Sequence, residues 1–80
     1  MSATEVLSPL PGVFYRRPSP DSAPFKQDGE AVGPDDVIGL VEVMKNFHEV
    51  TAGTGGSAIR FVAEDGDEIM AGQLLAEIAP

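Results

Sequence analysis

Apolar residues recur along the chain in short runs broken by acidic–glycine or proline turns, and the same order of runs and turns occurs twice. Phe25 to Val41 (FKQDGEAVGPDDVIGLV) lies over Val62 to Ile78 (VAEDGDEIMAGQLLAEI) at an offset of 37. In that alignment Asp28-Gly29 falls on Asp65-Gly66, Val32 on Ile69, Val37 on Leu74 and Val41 on Ile78. Upstream, Gly12 matches Gly56 and Val6 matches Val50 at an offset of 44, so the first copy carries seven extra residues between Tyr15 and Phe25. A duplication of this kind predicts two like halves packed about a pseudo-two-fold axis around one core. Val32, Ile38, Leu40, Ile69 and Leu75 are among the core candidates.

Nine glycines and seven prolines leave no window of helical length uninterrupted. The segments between them read as strands at Val13–Tyr15, Val37–Val43, Phe47–Thr51, Ala58–Ala63 and Leu74–Ile78. Short strands with regular turn signals predict an all-β fold, a sandwich or flattened barrel of two antiparallel sheets. At 80 residues the chain is one domain, 1–80, with a core that only narrowly outweighs chain entropy.

Charge narrows the function classes. Five basic against thirteen acidic side chains give a net charge of −8. That balance argues against nucleic acid, whose binding needs a basic surface, and against docking on an anionic membrane. No cysteine is present, so there is neither a disulfide framework nor a thiolate zinc site. No apolar stretch approaches a membrane span, and MSATEVLSPLPG lacks the charged start and apolar run of a secretory signal. A cytoplasmic protein is the expectation.

Two places depart from the repeat. The first is the insertion RRPSPDSAP, 16–24, whose three prolines favour an extended, preordered surface loop. On composition alone it is either a tolerated loop or a projecting element that touches something. The second is Glu42-Val43-Met44-Lys45-Asn46-Phe47-His48-Glu49 (42–49), which must reverse direction to join the halves. Two-residue hairpin turns favour Asn-Gly or Asp-Gly because both central residues need positive φ. Met44 and Lys45 are poor there, and a turn shifted to put Asn46 in the left-handed region would be cheaper. A local rule broken at one place points to function. The pseudo-two-fold puts both chain ends opposite this hairpin, so its lysine stands at the most isolated point of the domain.

These residues resemble a known family. Val41-Glu42-Val43-Met44-Lys45 is similar to the Glu-Ala-Met-Lys-Met signature of biotinyl domains, in which the lysine carries biotin in amide linkage. Ser8 to Arg16 (SPLPGVFYR) looks like the opening of the biotin carboxyl carrier subunits of acetyl-CoA carboxylases, and Pro18-Ser19-Pro20-Asp21 falls where those subunits have a protruding thumb. The resemblance covers nearly the whole chain and implies the biotinyl/lipoyl hammerhead fold, with covalent biotin on Lys45. Glu42, Val43, Met44 and Asn46 would form the context a ligase reads. Val43 replaces the signature alanine conservatively; Asn46 replaces a methionine and does not.

The chemistry implied is that of a carrier, not an enzyme. A solvated lysine amine is almost wholly protonated at neutral pH. The resemblance implies that a biotin protein ligase supplies both the activated biotin and the base. A biotin carboxylase and a carboxyltransferase would follow as partners, with acetyl-CoA as the acceptor, in fatty acid biosynthesis. Other residues carry no assigned chemistry. His48 has no nucleophile or carboxylate at catalytic spacing. Asp35-Asp36 and Glu64-Asp65 adjoin turn residues rather than forming a metal set. TAGTGGS (51–57) lacks the lysine spacing of a phosphate loop. Arg16 and Arg17 flank the thumb, where they could meet a partner or cofactor. Two rivals stay open at this point. A lipoyl carrier would share the fold and the lysine but has an acidic residue before it and no thumb. An unmodified interaction domain is the reading that Asn46 leaves open.

Overall fold

The computed structural model describes residues 3–80; Met1 and Ser2, the start of the segment read above for a secretory signal, lie outside them. Seven strands are present among the described residues: β1 (Thr4–Leu7), β2 (Gly12–Tyr15), β3 (Val37–Val43), β4 (Asn46–Thr51), β5 (Ala58–Phe61), β6 (Asp67–Ile69) and β7 (Leu74–Ala79). They form a three-stranded sheet, β1-β7-β5, and a four-stranded sheet, β4-β3-β2-β6. All pairings are antiparallel. No helix of the described residues is long and apolar enough to cross a membrane. The all-β expectation of two antiparallel sheets is met. Strands β1 and β6 escaped the sequence reading because three or four residues with one buried side chain each give no alternating pattern to find.

The duplication is visible in the hydrogen bonds. Gly29 N–H donates to Ile59 O at 2.7 Å, and Gly66 N–H donates to Phe14 O at 2.7 Å. Phe61 N–H donates to the Asp28 carboxylate at 2.8 Å, and Arg16 N–H to that of Asp65 at 2.7 Å. The bridge between Val32 and Gly56 answers the pair Gly12–Ile69. Each copy therefore ties its turns to the other copy's strands. β1 leaves its own half to pair with β7, as β4 leaves its half to pair with β3.

Register refines the repeat. Val13 and Ala58 occupy equivalent places opposite Glu42 and Ala79, one residue beyond the Gly12–Gly56 match. The net insertion after β2 is thus eight residues, not seven. Gly12 and Gly56 remain equivalent in space: a Cβ on the first would meet Val41 and the Glu42 carbonyl, and on the second Ile78 and the Ala79 carbonyl. Only glycine permits that approach.

One buried cluster fills the space between the sheets, with Phe14, Ile38, Val41, Ile59, Leu75 and Ile78 at its centre. Val32, Ile38, Ile69 and Leu75 are in it as expected; Leu40 is not. The ladder between β3 and β4 is irregular between Val37 and Gly39, where a bulge turns both Ile38 and Gly39 inward. The next residue, Leu40, then points outward and is only half-buried. β7 repeats this arrangement with Leu75 and Ala76 inward.

Candidate functional site at a hairpin tip

Val43 pairs with Asn46, so Met44 and Lys45 alone make the turn between β3 and β4. Both take positive φ, 51° and 67°. Every other left-handed residue among those described is a glycine: Gly29, Gly53, Gly66 and Gly72. A Cβ in that region costs about 1–2 kcal/mol per residue, so the tip holds two strained residues in succession. The cheaper turn centred on Asn46 does not form. Pairing of Glu42 with Phe47 and Val41 with His48 fixes the register and leaves two residues for the loop. Asn46 begins β4, and its side-chain amide donates to Met44 O at 3.5 Å.

Met44 is 89% exposed and Lys45 is exposed beside it. Among the described residues the ion pairs involve Lys26 and Arg60, not Lys45. Glu42 accepts a hydrogen bond from Tyr15 Oη at 3.3 Å. The Tyr15 hydroxyl is held above its ordinary pKa by desolvation first and by the Glu42 charge second. Val43 packs against the core and anchors the base of the hairpin. His48 is an exposed strand residue opposite Val41.

The insertion folds back beside this hairpin. Phe25 N–H donates to Arg16 O at 2.8 Å and closes the loop, while Ser22 N–H donates to Ser19 O at 3.1 Å within it. The Ser19 and Ser22 hydroxyls lie 2.7 Å apart. Arg17 Nη1 donates to Ser22 O at 3.4 Å. The Arg16 guanidinium stacks 4.0 Å over the Phe61 ring. The Nε atoms of Arg16 and Arg17 are buried without a hydrogen-bond partner.

Between loop and hairpin lies an open cavity of about 250 Å³. Arg17, Pro18, Ser19 and Pro20 form one wall; Tyr15, Phe47 and Asp65 complete it. Tyr15 and Phe47 stand 6.3 Å apart, ring to ring. The structure thus brings Pro18, Ser19 and Pro20 next to the lysine hairpin, whereas Asp21 is exposed and does not line the cavity. Tyr15, Phe47 and Asp65 were missed by sequence reasoning. The available signal was an aromatic on the solvent side of each strand: Tyr15 follows the buried Phe14, and Phe47 is 58% exposed. No group of three or more metal-ligating side chains occurs among the described residues.

Comparison with known proteins gives one answer. The family described as "biotin-requiring enzyme", which joins biotin and lipoyl domains, matches residues 4–78. The chain is 39% identical over 74 residues to the biotin carboxyl carrier protein of acetyl-CoA carboxylase from Chlamydia pneumoniae, covering 92% of this chain and 44% of that one. It is 33% identical over 76 residues to the protein of that name from Nostoc sp., covering 95% and 42%. Against carrier protein 2 of Arabidopsis thaliana chloroplasts it is 36% identical over 73 residues, covering 91% and 29%. The chain spans less than half the length of these relatives. Fold, hairpin and sequence agree, and the chain belongs to the family of biotin-requiring enzymes that the sequence resemblance indicated.

Proposed function

We propose that this chain is a biotin carboxyl carrier domain, without catalytic activity of its own, that carries biotin in amide linkage on Lys45 and serves an acetyl-CoA carboxylase. The observation that carries the reading is the Met44-Lys45 turn. Among the described residues, the only two non-glycines held at positive φ are the two that present an exposed amine, outside the ion pairs of those residues, at the end of a hairpin. Such strain is expected where function overrides folding. The names of the relatives support the cofactor and the parent enzyme.

In ligation the Lys45 amine, deprotonated in the pocket of a biotin protein ligase, attacks an activated biotin carboxyl carbon. An amide bond forms and the activating group leaves. Met44 and Asn46 flank the amine, and Glu42 and Val43 shape the strand the ligase grips. Glu42 is occupied by the Tyr15 hydroxyl, which leaves the amine free to enter a foreign active site. Once attached, biotin supplies a ureido nitrogen that takes up and gives away a carboxyl group. The four-carbon stem of Lys45 would give the attached group the reach to serve a biotin carboxylase and a carboxyltransferase, keeping it concentrated near both. Phe47 follows Lys45 by two residues, roughly 7 Å along a strand, so the cavity lies within reach of the tethered arm. Tyr15, Phe47 and the thumb residues Pro18, Ser19 and Pro20 would hold its ring between visits, with Asp21 outside the contact. We place this chain in the cytoplasm, with neither nucleic acid nor membrane as a partner.

Incubation with biotin protein ligase, ATP and biotin, read by intact mass, tests the proposal. One biotinyl increment that disappears in Lys45→Arg is the expected result. An unmodified wild-type chain would overturn it, and a lipoyl increment from lipoate ligase run in parallel would replace it with the lipoyl reading.

A further inference from the structure

The tip end of the domain carries a second feature, on the other sheet. Ile69, the end of β6, pairs with Gly12, and the adjoining Val13 pairs with Glu42. The turn that follows Ile69 is therefore level with the base of the lysine hairpin, and β7 runs from it toward the far end. Leu7 pairs with Leu74 at the start of β7, and Val62 N–H donates to Leu75 O at 2.8 Å from the other side. Gly72 N–H donates to Ser8 O at 2.8 Å, which ties the Met70–Gln73 turn to the end of β1. Met70 is 70% exposed, Val62 50% and Leu7 47%. Three large apolar side chains thus face solvent at one end of the three-stranded sheet.

The fold does not ask for Leu7 and Met70. Leu7 opposite Leu74 corresponds to Thr51 opposite Val37, whereas Val62 corresponds to Phe25, an apolar residue that the first copy keeps half-buried. Met70, whose N–H is capped by the Gln73 side chain, corresponds to Gly33, whose N–H is capped by Asp36. The first copy fills the places of Leu7 and Met70 with a hydroxyl and with no side chain at all. Apolar exposure gathered at one end of a sheet, where packing does not require it, marks an interaction surface.

We propose that Leu7, Val62 and Met70 are the surface by which the unmodified domain docks on the ligase that acylates Lys45, a partner offering an apolar depression rimmed by lysine and arginine. The inference rests on the carrier reading of Lys45. The ligase alone meets the domain before any prosthetic group is attached, so affinity must come from the protein surface around the tip. Later partners can bind the group itself. Charge selects the partner's rim: the chain bears −8, and Glu5, Glu64 and Glu68 are exposed in the segments that carry the three apolar residues. A second copy of the domain would set like charges against one another, whereas a basic rim complements them.

Ligation kinetics on the whole chain decide the matter, with biotin protein ligase, ATP and biotin at saturation and the domain varied. Leu7→Ser/Met70→Ser is expected to raise KM for the domain at least tenfold with kcat within twofold, while Thr51→Ala at the symmetry-related place leaves both unchanged. KM of the wild type is expected to rise several-fold with added salt. Circular dichroism melting accompanies each variant. If the double variant melts early, Val62→Thr and Met70→Gln, both at exposed positions outside the strands, carry the test in its place. Unchanged KM in folded variants overturns the docking surface. A wild-type chain that accepts no biotin overturns the carrier reading instead, and the surface with it.

Discussion

The two halves of this domain solve the same folding problem with different residues, and the differences separate what the fold needs from what the site needs. Both halves place an aspartate–glycine turn under the other's strand, with bonds that agree within 0.1 Å: Asp28 to Phe61 at 2.8 Å and Asp65 to Arg16 at 2.7 Å. Both turn two consecutive residues into the core at a bulge. They part at the Met44-Lys45 turn, the thumb and the exposed apolar residues. The repeated features are structural, and the unrepeated ones gather at one end of the molecule.

The sharpest way to break the equivalence is at Gly39, whose counterpart is Ala76. A Cβ on Gly39 would stand 2.7 Å from Phe14 Cζ and 2.8 Å from the Tyr15 carbonyl oxygen. In the second copy Ile59 takes the place of Phe14, and Ala76 fits. Gly39→Ala should cost about 3 kcal/mol in urea unfolding, at the upper end for overpacking. Adding Phe14→Ile, which imports the second copy's solution, should recover at least half of that. No recovery would mean that the halves pack differently despite their matching hydrogen bonds.

Replacing the tip by the turn the backbone prefers tests the other side of the contrast. Met44→Asn/Lys45→Gly relieves two left-handed side chains and should stabilise the domain by about 2 kcal/mol. The same variant should accept no biotin. A loss of stability would show that the Met44 and Lys45 side chains support the hairpin rather than strain it.

Much of this was legible in the chain. The offset repeat, the glycine and proline punctuation and the all-β class follow from local pattern. Lys45 stood out because Met-Lys is a poor turn where glycine would fold better. Register effects were not legible. The bulge at Ile38-Gly39 moved Leu40 out of the core, because one extra residue reverses every later side chain. The strict two-residue loop put Met44, not Asn46, in the left-handed region. The cavity needed Tyr15 and Phe47 from different strands and Asp65 from the far half of the chain, a juxtaposition set by strand order rather than by spacing.

A smaller effect measures the symmetry itself. Asp28→Ala and Asp65→Ala each remove one bond from a carboxylate to a backbone N–H. Each should lower stability by about 1 kcal/mol, and by similar amounts. A markedly larger loss for Asp65→Ala would assign Asp65 a second task in holding the thumb, whose first residue it caps.

The least effect is also the most selective, because the two copies cap one turn with different chemistry. Gly33 N–H donates to the Asp36 carboxylate at 2.8 Å, and Met70 N–H donates to the Gln73 amide oxygen at 2.9 Å. Only the first cap titrates. The bond from Gly33, then the hydrogen bond from Lys26, hold the Asp36 carboxyl below its ordinary range; Glu30 is likewise lowered, first by Gln27 N–H. A carboxylate whose folded pKa is depressed adds stability above its unfolded pKa and loses it as pH falls through the folded value. The domain should therefore weaken below about pH 4. The Lys26 ammonium, raised chiefly by its bond to Asp36, contributes in the opposite sense and loses its share only at strongly alkaline pH. Asp36→Asn should be less stable than wild type at pH 7 but lose less between pH 7 and pH 3, so the two urea midpoints converge. Gln73→Glu should steepen the acid limb by giving the second copy the first copy's cap. Parallel acid limbs in wild type and Asp36→Asn would place the acid sensitivity elsewhere, with Glu30 and its Gln27 cap the next group to vary.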